Sequence, residues 1–137
     1  MRIRWIKLIV GAVAAEIGAI LILVCLVAIF GPQEANAAQV YAEKLGLWVG
    51  PLAGALLGFL GAFWIARPLE KDQLLHGALF GCFHALIDIA LLVAMQAPFE
   101  WLFVVSDAGK IAAAIAGGVC AARIRPSSGA ASQLSRK

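Results

Sequence analysis

Five ionisable residues stand deep inside otherwise apolar stretches of this chain: Glu16, His84, Asp88, Asp107 and Lys110. A charge near the middle of a membrane-spanning helix costs on the order of 3 kcal/mol even on the lenient insertion scale, so such groups turn inward and pair, or carry protons and ions. Asp88 follows His84 by four residues and Lys110 follows Asp107 by three, so on helices each pair shares a face. Counting about 1.5 Å per residue from the basic end of each stretch puts Glu16 at about 12 Å, His84 at about 15 Å, Lys110 at about 18 Å, Asp88 at about 21 Å and Asp107 at about 22 Å. If these faces converge, Lys110 pairs with Asp88, Asp107 or Glu16, and the remaining negative charge makes a proton or ion site. The competing expectation is structural: a buried pair that only fixes helix register.

Catalysis has little support. There is no Gly-rich phosphate loop, nucleophile elbow, H-E-x-x-H or haem-attachment spacing, and no nucleophile accompanies Glu16, His84 and Asp88. No catalytic residue, metal or cofactor is therefore expected. Cys25, Cys82 and Cys120 are odd in number, lack C-x-x-C spacing and sit in apolar segments, where they read as small packing residues. His76 reads as an interfacial residue near the basic end.

The elements that must position these groups are four apolar stretches, at about 8–30, 47–66, 74–95 and 101–122. Each reaches the roughly 20 residues that cross about 30 Å of hydrocarbon. With 63% apolar and 14% charged residues in 137, the chain departs from soluble composition. The expected fold is all-α: an integral membrane four-helix bundle forming one domain over 1–125, followed by a disordered cytoplasmic tail over 126–137 rich in Ser, Ala and Gly.

Orientation follows from Lys and Arg. Arg2, Arg4, Lys7, Arg67, Lys71, Arg123, Arg125, Arg136 and Lys137, nine of the eleven basic residues, fall on one side. The positive-inside rule makes that side cytoplasmic, with both termini inside. Trp5 and Trp64 then lie at the inner interface and Trp48 and Trp101 at the outer one, as an aromatic belt requires. The basic residues form no stripe between aromatics, so nucleic acid is not an expected partner. The expected partners are the lipid bilayer and a second membrane helix, from another copy or another protein.

Close helix approach is written in glycines. Gly50, Gly54, Gly58 and Gly61 share one face of the second stretch, Gly77 and Gly81 lead up to His84 and Asp88, and Gly117 follows Lys110 on the fourth. These are expected packing residues. Gly61 to Arg67 resembles Gly117 to Arg123, each closing a stretch that runs towards the basic side, which suggests a 2+2 parallel repeat of helical hairpins. Pro68 ends the second stretch in a short turn. The longest connection, 31–46, reads either as a short interfacial helix over 33–45 or as a helix overhang with a linker. Ala35-Asn36-Ala37 after a basic start and an apolar run resembles a signal-peptide cleavage site; the length of that run and Glu16 within it argue for retention.

LLHGALFG at 74–81, FWIAR at 63–67 and GGVCAAR at 117–123, with Trp5 among basic neighbours, look like the small uncharacterised four-helix membrane proteins of bacteria. That resemblance implies a bacterial inner-membrane location and no particular activity. Ala14-Ala15-Glu16-Ile17-Gly18 also resembles the first helix of the small multidrug resistance transporters, whose glutamate exchanges protons with cationic drugs. Only Glu16 would inherit that role, because the family's third-helix glycine motif is missing and His84, Asp88 and Lys110 are foreign to it. Two functions follow from the residues: a non-enzymatic accessory or assembly subunit, or a small oligomeric proton-linked transporter or channel using the Glu/His/Asp/Lys cluster.

Overall fold

The structure, a computed structural model, describes residues 3–96 and 98–124. The expected tail at 126–137 lies outside the described residues. Four helices run in order, α1 Trp5–Phe30, α2 Ala35–Ala66, α3 Gln73–Ala94 and α4 Trp101–Ile124, and there is no strand among the described residues. All four are long and apolar enough to cross a membrane, as in a multi-pass membrane protein.

The helices alternate in direction, so Arg4, Lys7, Arg67, Lys71 and Arg123 share one end, called here the basic end. Both α1 and α4 pack against α2 and α3, which also touch each other, while the backbones of α1 and α4 stay apart. The section is thus a diamond with α1 and α4 at its far corners.

One boundary differs from expectation. The apolar run of α2 begins at Leu47, but the helix begins at Ala35 and includes Pro51. Ala-rich sequence from Ala35 favours helix, and Pro51 removes only the single bond to the Leu47 carbonyl. Of the two readings of 31–46, the overhang describes the chain: no separate helix exists and the connection shrinks to 31–34. At the other end α2 stops at Ala66, just before Pro68, and Leu69 folds inward as a buried residue. Asp72 then adopts φ 65° ahead of α3, and its carbonyl accepts from both the His76 amide at 3.0 Å and His76 Nδ1 at 2.9 Å.

That pair of bonds corrects the expectation for His76, which is 2% exposed and points into the bundle. The cysteines need the opposite correction. Cys25 and Cys82 are exposed on outward faces and Cys120 is half-buried, so they do not pack the core. Small apolar thiols suit a lipid-facing surface as well as a protein interior.

The core lies in the half towards the basic end, where Leu8, Ala12, Ala15, Ala62, Phe80 and Ala114 form one cluster. Close approach there depends on missing side chains. A Cβ on Gly77 would lie 2.7 Å from the Ala114 carbonyl oxygen, one on Gly81 2.8 Å from Ile111 Cα, and one on Gly118 2.7 Å from the Gln73 carbonyl oxygen. A Cβ on Gly117 would run into the Phe59 carbonyl oxygen of α2. Gly61 leaves room for the Phe80 ring. Gly50 is different: nothing lies within 4 Å of where its Cβ would stand, so it makes no close helix contact among the described residues. Its spacing continues the series, but it sits one turn beyond the tightly packed half.

Candidate functional site: a buried Lys–carboxylate–His cluster

The five ionisable residues meet. Lys110 extends from α4 through the centre of the diamond, where its ammonium is hydrogen-bonded and ion-paired to Asp88 of α3. The same nitrogen lies 3.5 Å from Asp107 Oδ1 on its own helix and 3.8 Å from Glu16 Oε2 on α1. His84 Nε2 approaches the same Glu16 oxygen at 3.0 Å. Three helices therefore contribute side chains to one site, and the depths counted separately along each helix collapse to one level.

The remaining helix, α2, contributes space. A Cβ on Gly54 would stand 2.6 Å from Lys110 Cε, and one on Gly58 would stand 3.4 Å from His84 Nδ1. These two glycines divide the expected seam of α2 by function. Gly61 admits an apolar ring, whereas Gly54 and Gly58 admit the charged lysine stem and the imidazole. Sequence spacing shows that α2 has a bare face but not what fills it.

Burial is deep and uneven. His84 is 0% exposed, Lys110 3%, Glu16 6% and Asp107 8%, while the Asp88 side chain retains 19%. The polar groups are closed off towards the basic end by Leu8, Ala12, Phe80 and Ala114, and their contact with the surroundings runs through Asp88 and, less, Asp107 towards the other end.

Hydrogen bonding is incomplete. Glu16 Oε2, Asp107 Oδ1 and both ring nitrogens of His84 make no hydrogen bond among the described residues, although they lie near opposite charge or a polar neighbour. The His84–Glu16 contact is close but out of line, and the Lys110 contacts to Glu16 and Asp107 are longer than hydrogen bonds. Each buried polar group without a bond costs about 1–3 kcal/mol. Such a cluster is an expensive way to fix helix register.

Chemically, three carboxylates surround one ammonium, with a neutral or protonatable imidazole beside them. The ammonium occupies the place a free cation would take. Among the described residues no three His, Cys, Asp or Glu side chains stand close enough together to share a metal ion. The cluster is suited to exchanging protons and partners around a tethered cation. No family model, curated protein or solved structure matches this chain.

Proposed function

We propose that this chain is a multi-pass membrane protein of the bacterial inner membrane, with its basic end and both termini cytoplasmic, that acts as a small proton-linked transporter through the Glu16/His84/Asp88/Asp107/Lys110 cluster. The observation that carries the reading is the convergence of three carboxylates and a histidine on one ammonium, with several of their polar atoms left without hydrogen bonds. Register alone is satisfied by one pair.

The proposed step begins at Asp88, the most exposed carboxylate of the cluster. A proton arriving from the far end neutralises the Asp88 carboxylate and releases the Lys110 ammonium from it. Asp107 and Glu16, already 3.5 and 3.8 Å away, receive the ammonium, and His84 accepts or returns a proton beside Glu16. The apolar plug at Leu8, Phe80 and Ala114 makes this an exchange site closed on one side, so delivery across requires the helices to rearrange. The cytoplasmic orientation is supported by the basic residues gathered at one end and by the exposed tryptophans, Trp5, Trp64 and Trp101 near helix ends and Trp48 at the start of the apolar run of α2.

Purified protein in liposomes carrying an internal pH dye, under an imposed potential, tests the reading. The expected result is a proton flux above empty liposomes that falls at least tenfold in Asp88→Asn. Equal flux with and without protein, or flux unchanged in Asp88→Asn, overturns it.

A second reading, a non-enzymatic accessory or assembly subunit, is supported by a different surface. Val105, Ala108, Gly109, Ala112 and Ala116 line an exposed face of α4, and nothing lies within 4 Å of a Cβ built on Gly109. Small residues facing outward permit close approach by a second helix, from another copy or another membrane protein. Loss of a larger complex from membranes after deletion of the chain would favour it over the transporter.

A further inference from the structure

Both histidines of the chain stand on α3, and both are buried. His84 belongs to the cluster, whereas His76, 2% exposed, lies outside it towards the basic end. The two are eight residues apart, about 12 Å along the helix at 1.5 Å per residue, and Phe80 stands midway between them on the same ridge. The Phe80 ring is 0% exposed, with its centroid 6.1 Å from that of His84. Bare backbone flanks it on two sides: a Cβ on Gly61 of α2 would stand 2.6 Å from the ring, and one on Gly11 of α1 would stand 3.1 Å from it.

We propose that His76 is a second proton site, on the basic side of the apolar plug, and that the Phe80 ring is the gate between it and the cluster. The proposal rests on the transporter reading and names the inner half of that proton route.

The hydrogen bond at His76 fixes what its ring offers. A carbonyl oxygen only accepts, so the 2.9 Å contact with the Asp72 carbonyl puts the proton of the neutral ring on Nδ1. Nε2 is then the base, and it is buried with no hydrogen bond among the described residues. Holding the turn before α3 needs Nδ1 alone; a buried Nε2 without a bond costs about 1–3 kcal/mol and adds nothing to that contact. Both ring nitrogens of His84 are also without hydrogen bonds. Three buried imidazole nitrogens of this kind thus stand on the two sides of one aromatic ring.

A phenyl ring stops protons because buried water needs two or more polar partners, and the ring supplies none. Being fully buried, Phe80 moves only when α3 shifts against α1 and α2, the same rearrangement that delivery across the plug requires. With the ring displaced, water is held between the two imidazoles. His84 gives up a proton, that water carries it, and His76 Nε2 takes it to form the imidazolium. Nδ1–H stays on the Asp72 carbonyl, so Nε2 gives the proton up again, to water at the basic end. The distance left is short: His76 is three residues inside α3, about 5 Å from its start.

Proton flux into liposomes under an imposed potential tests the gate and the site together. Phe80→Ala should raise flux at least tenfold above the parent chain. Adding His76→Asn, whose amide still donates to the Asp72 carbonyl but holds no base, should return it to the parent level or below. Flux in Phe80→Ala no higher than in the parent, or equally high with and without His76, overturns the proposal. Because loss of a core ring can unfold the bundle, nitrogen-15 NMR of the histidine-labelled, tag-free parent chain in liposomes supplies a second measurement. The neutral His76 ring should carry its proton on Nδ1; a neutral ring protonated on Nε2 overturns the proposal. The outcomes keep the two readings apart: parent flux that Phe80→Ala leaves unchanged removes the gate alone, and flux absent from the parent, high in Phe80→Ala and lost with His76→Asn removes the transporter reading alone.

Discussion

Gly54 and Lys110 occupy the same space: a Cβ on Gly54 would stand 2.6 Å from Lys110 Cε, so the lysine crosses the bundle only because α2 has no side chain there. Gly50, one turn away on the same helix, has nothing within 4 Å of that position. The two glycines make a matched comparison. Gly54→Ala displaces the lysine stem and should destabilise the protein by about 1–3 kcal/mol, as overpacking does. Gly50→Ala should be neutral or stabilising by up to about 1 kcal/mol through helix propensity. Unfolding of both variants in one detergent, followed by circular dichroism, checks the difference, and equal effects would remove the assignment of Gly54 to the lysine.

Removing the ammonium should cost more than removing one of its carboxylates. Lys110→Met leaves Glu16, Asp88 and Asp107 without their common counter-charge, a loss of about 3–5 kcal/mol for a broken buried pair. Asp88→Asn leaves Lys110 near two other carboxylates, so its cost should be smaller. In the Lys110→Met background Asp88→Asn should be stabilising, because it removes a stranded charge. A double-mutant cycle with a coupling of at least about 1 kcal/mol is the expected result; additive effects would mean that the two side chains do not share a site.

The sequence was legible where a single physical constraint acts on a single helix. Length and apolarity mark four helices, and scarcity of charge in apolar runs marks Glu16, His84, Asp88, Asp107 and Lys110 without reference to any fold. Partner choice depends on relations between helices, which no single helix's sequence carries. The bare face of α2 was visible, but that Gly54 and Gly58 admit Lys110 and His84 follows from where α3 and α4 pack. Gly118 carries no spacing signal of its own because it follows Gly117 directly; both face backbone, one towards α2 and the other towards α3. His76 looked interfacial from its position and is buried because the Asp72 carbonyl captures its ring. Apolarity places the start of α2 too late because polar residues such as Gln39, Glu43 and Lys44 interrupt apolarity without interrupting helix.

The α2–α4 contact should tolerate no added atom at Gly117. A Cβ there meets the Phe59 carbonyl oxygen and lies 3.1 Å from the Phe63 amide nitrogen, and backbone cannot swing aside as a lysine stem can. Gly117→Ala should therefore separate the helices and cost about 2 kcal/mol or more, within the range of severe overpacking. Gly109→Ala, where the added methyl meets open space, should leave stability within about 0.5 kcal/mol or raise it. Thermal unfolding midpoints measured side by side distinguish the two, and a tolerated alanine at Gly117 would mean that the helices are farther apart than described.

Orientation and retention of α1 can be read together. Glu16 is 3.0 Å from His84 and 3.8 Å from Lys110, so a chain beginning at Ala38 would lose a member of the cluster along with the helix that closes one corner of the diamond. N-terminal sequencing of membrane-extracted protein should give no product that starts at Ala38. For orientation, Lys71→Cys and Glu43→Cys place single exposed thiols at opposite ends, after Cys25, Cys82 and Cys120 are replaced by Ala. A membrane-impermeant maleimide added outside cells or spheroplasts should label the position-43 thiol and reach the position-71 thiol only after the membrane is permeabilised. The reverse pattern would put Arg4, Lys7, Arg67, Lys71 and Arg123 outside, against the rule that sets membrane topology, and would require Asp88 to draw its protons from the cytoplasm.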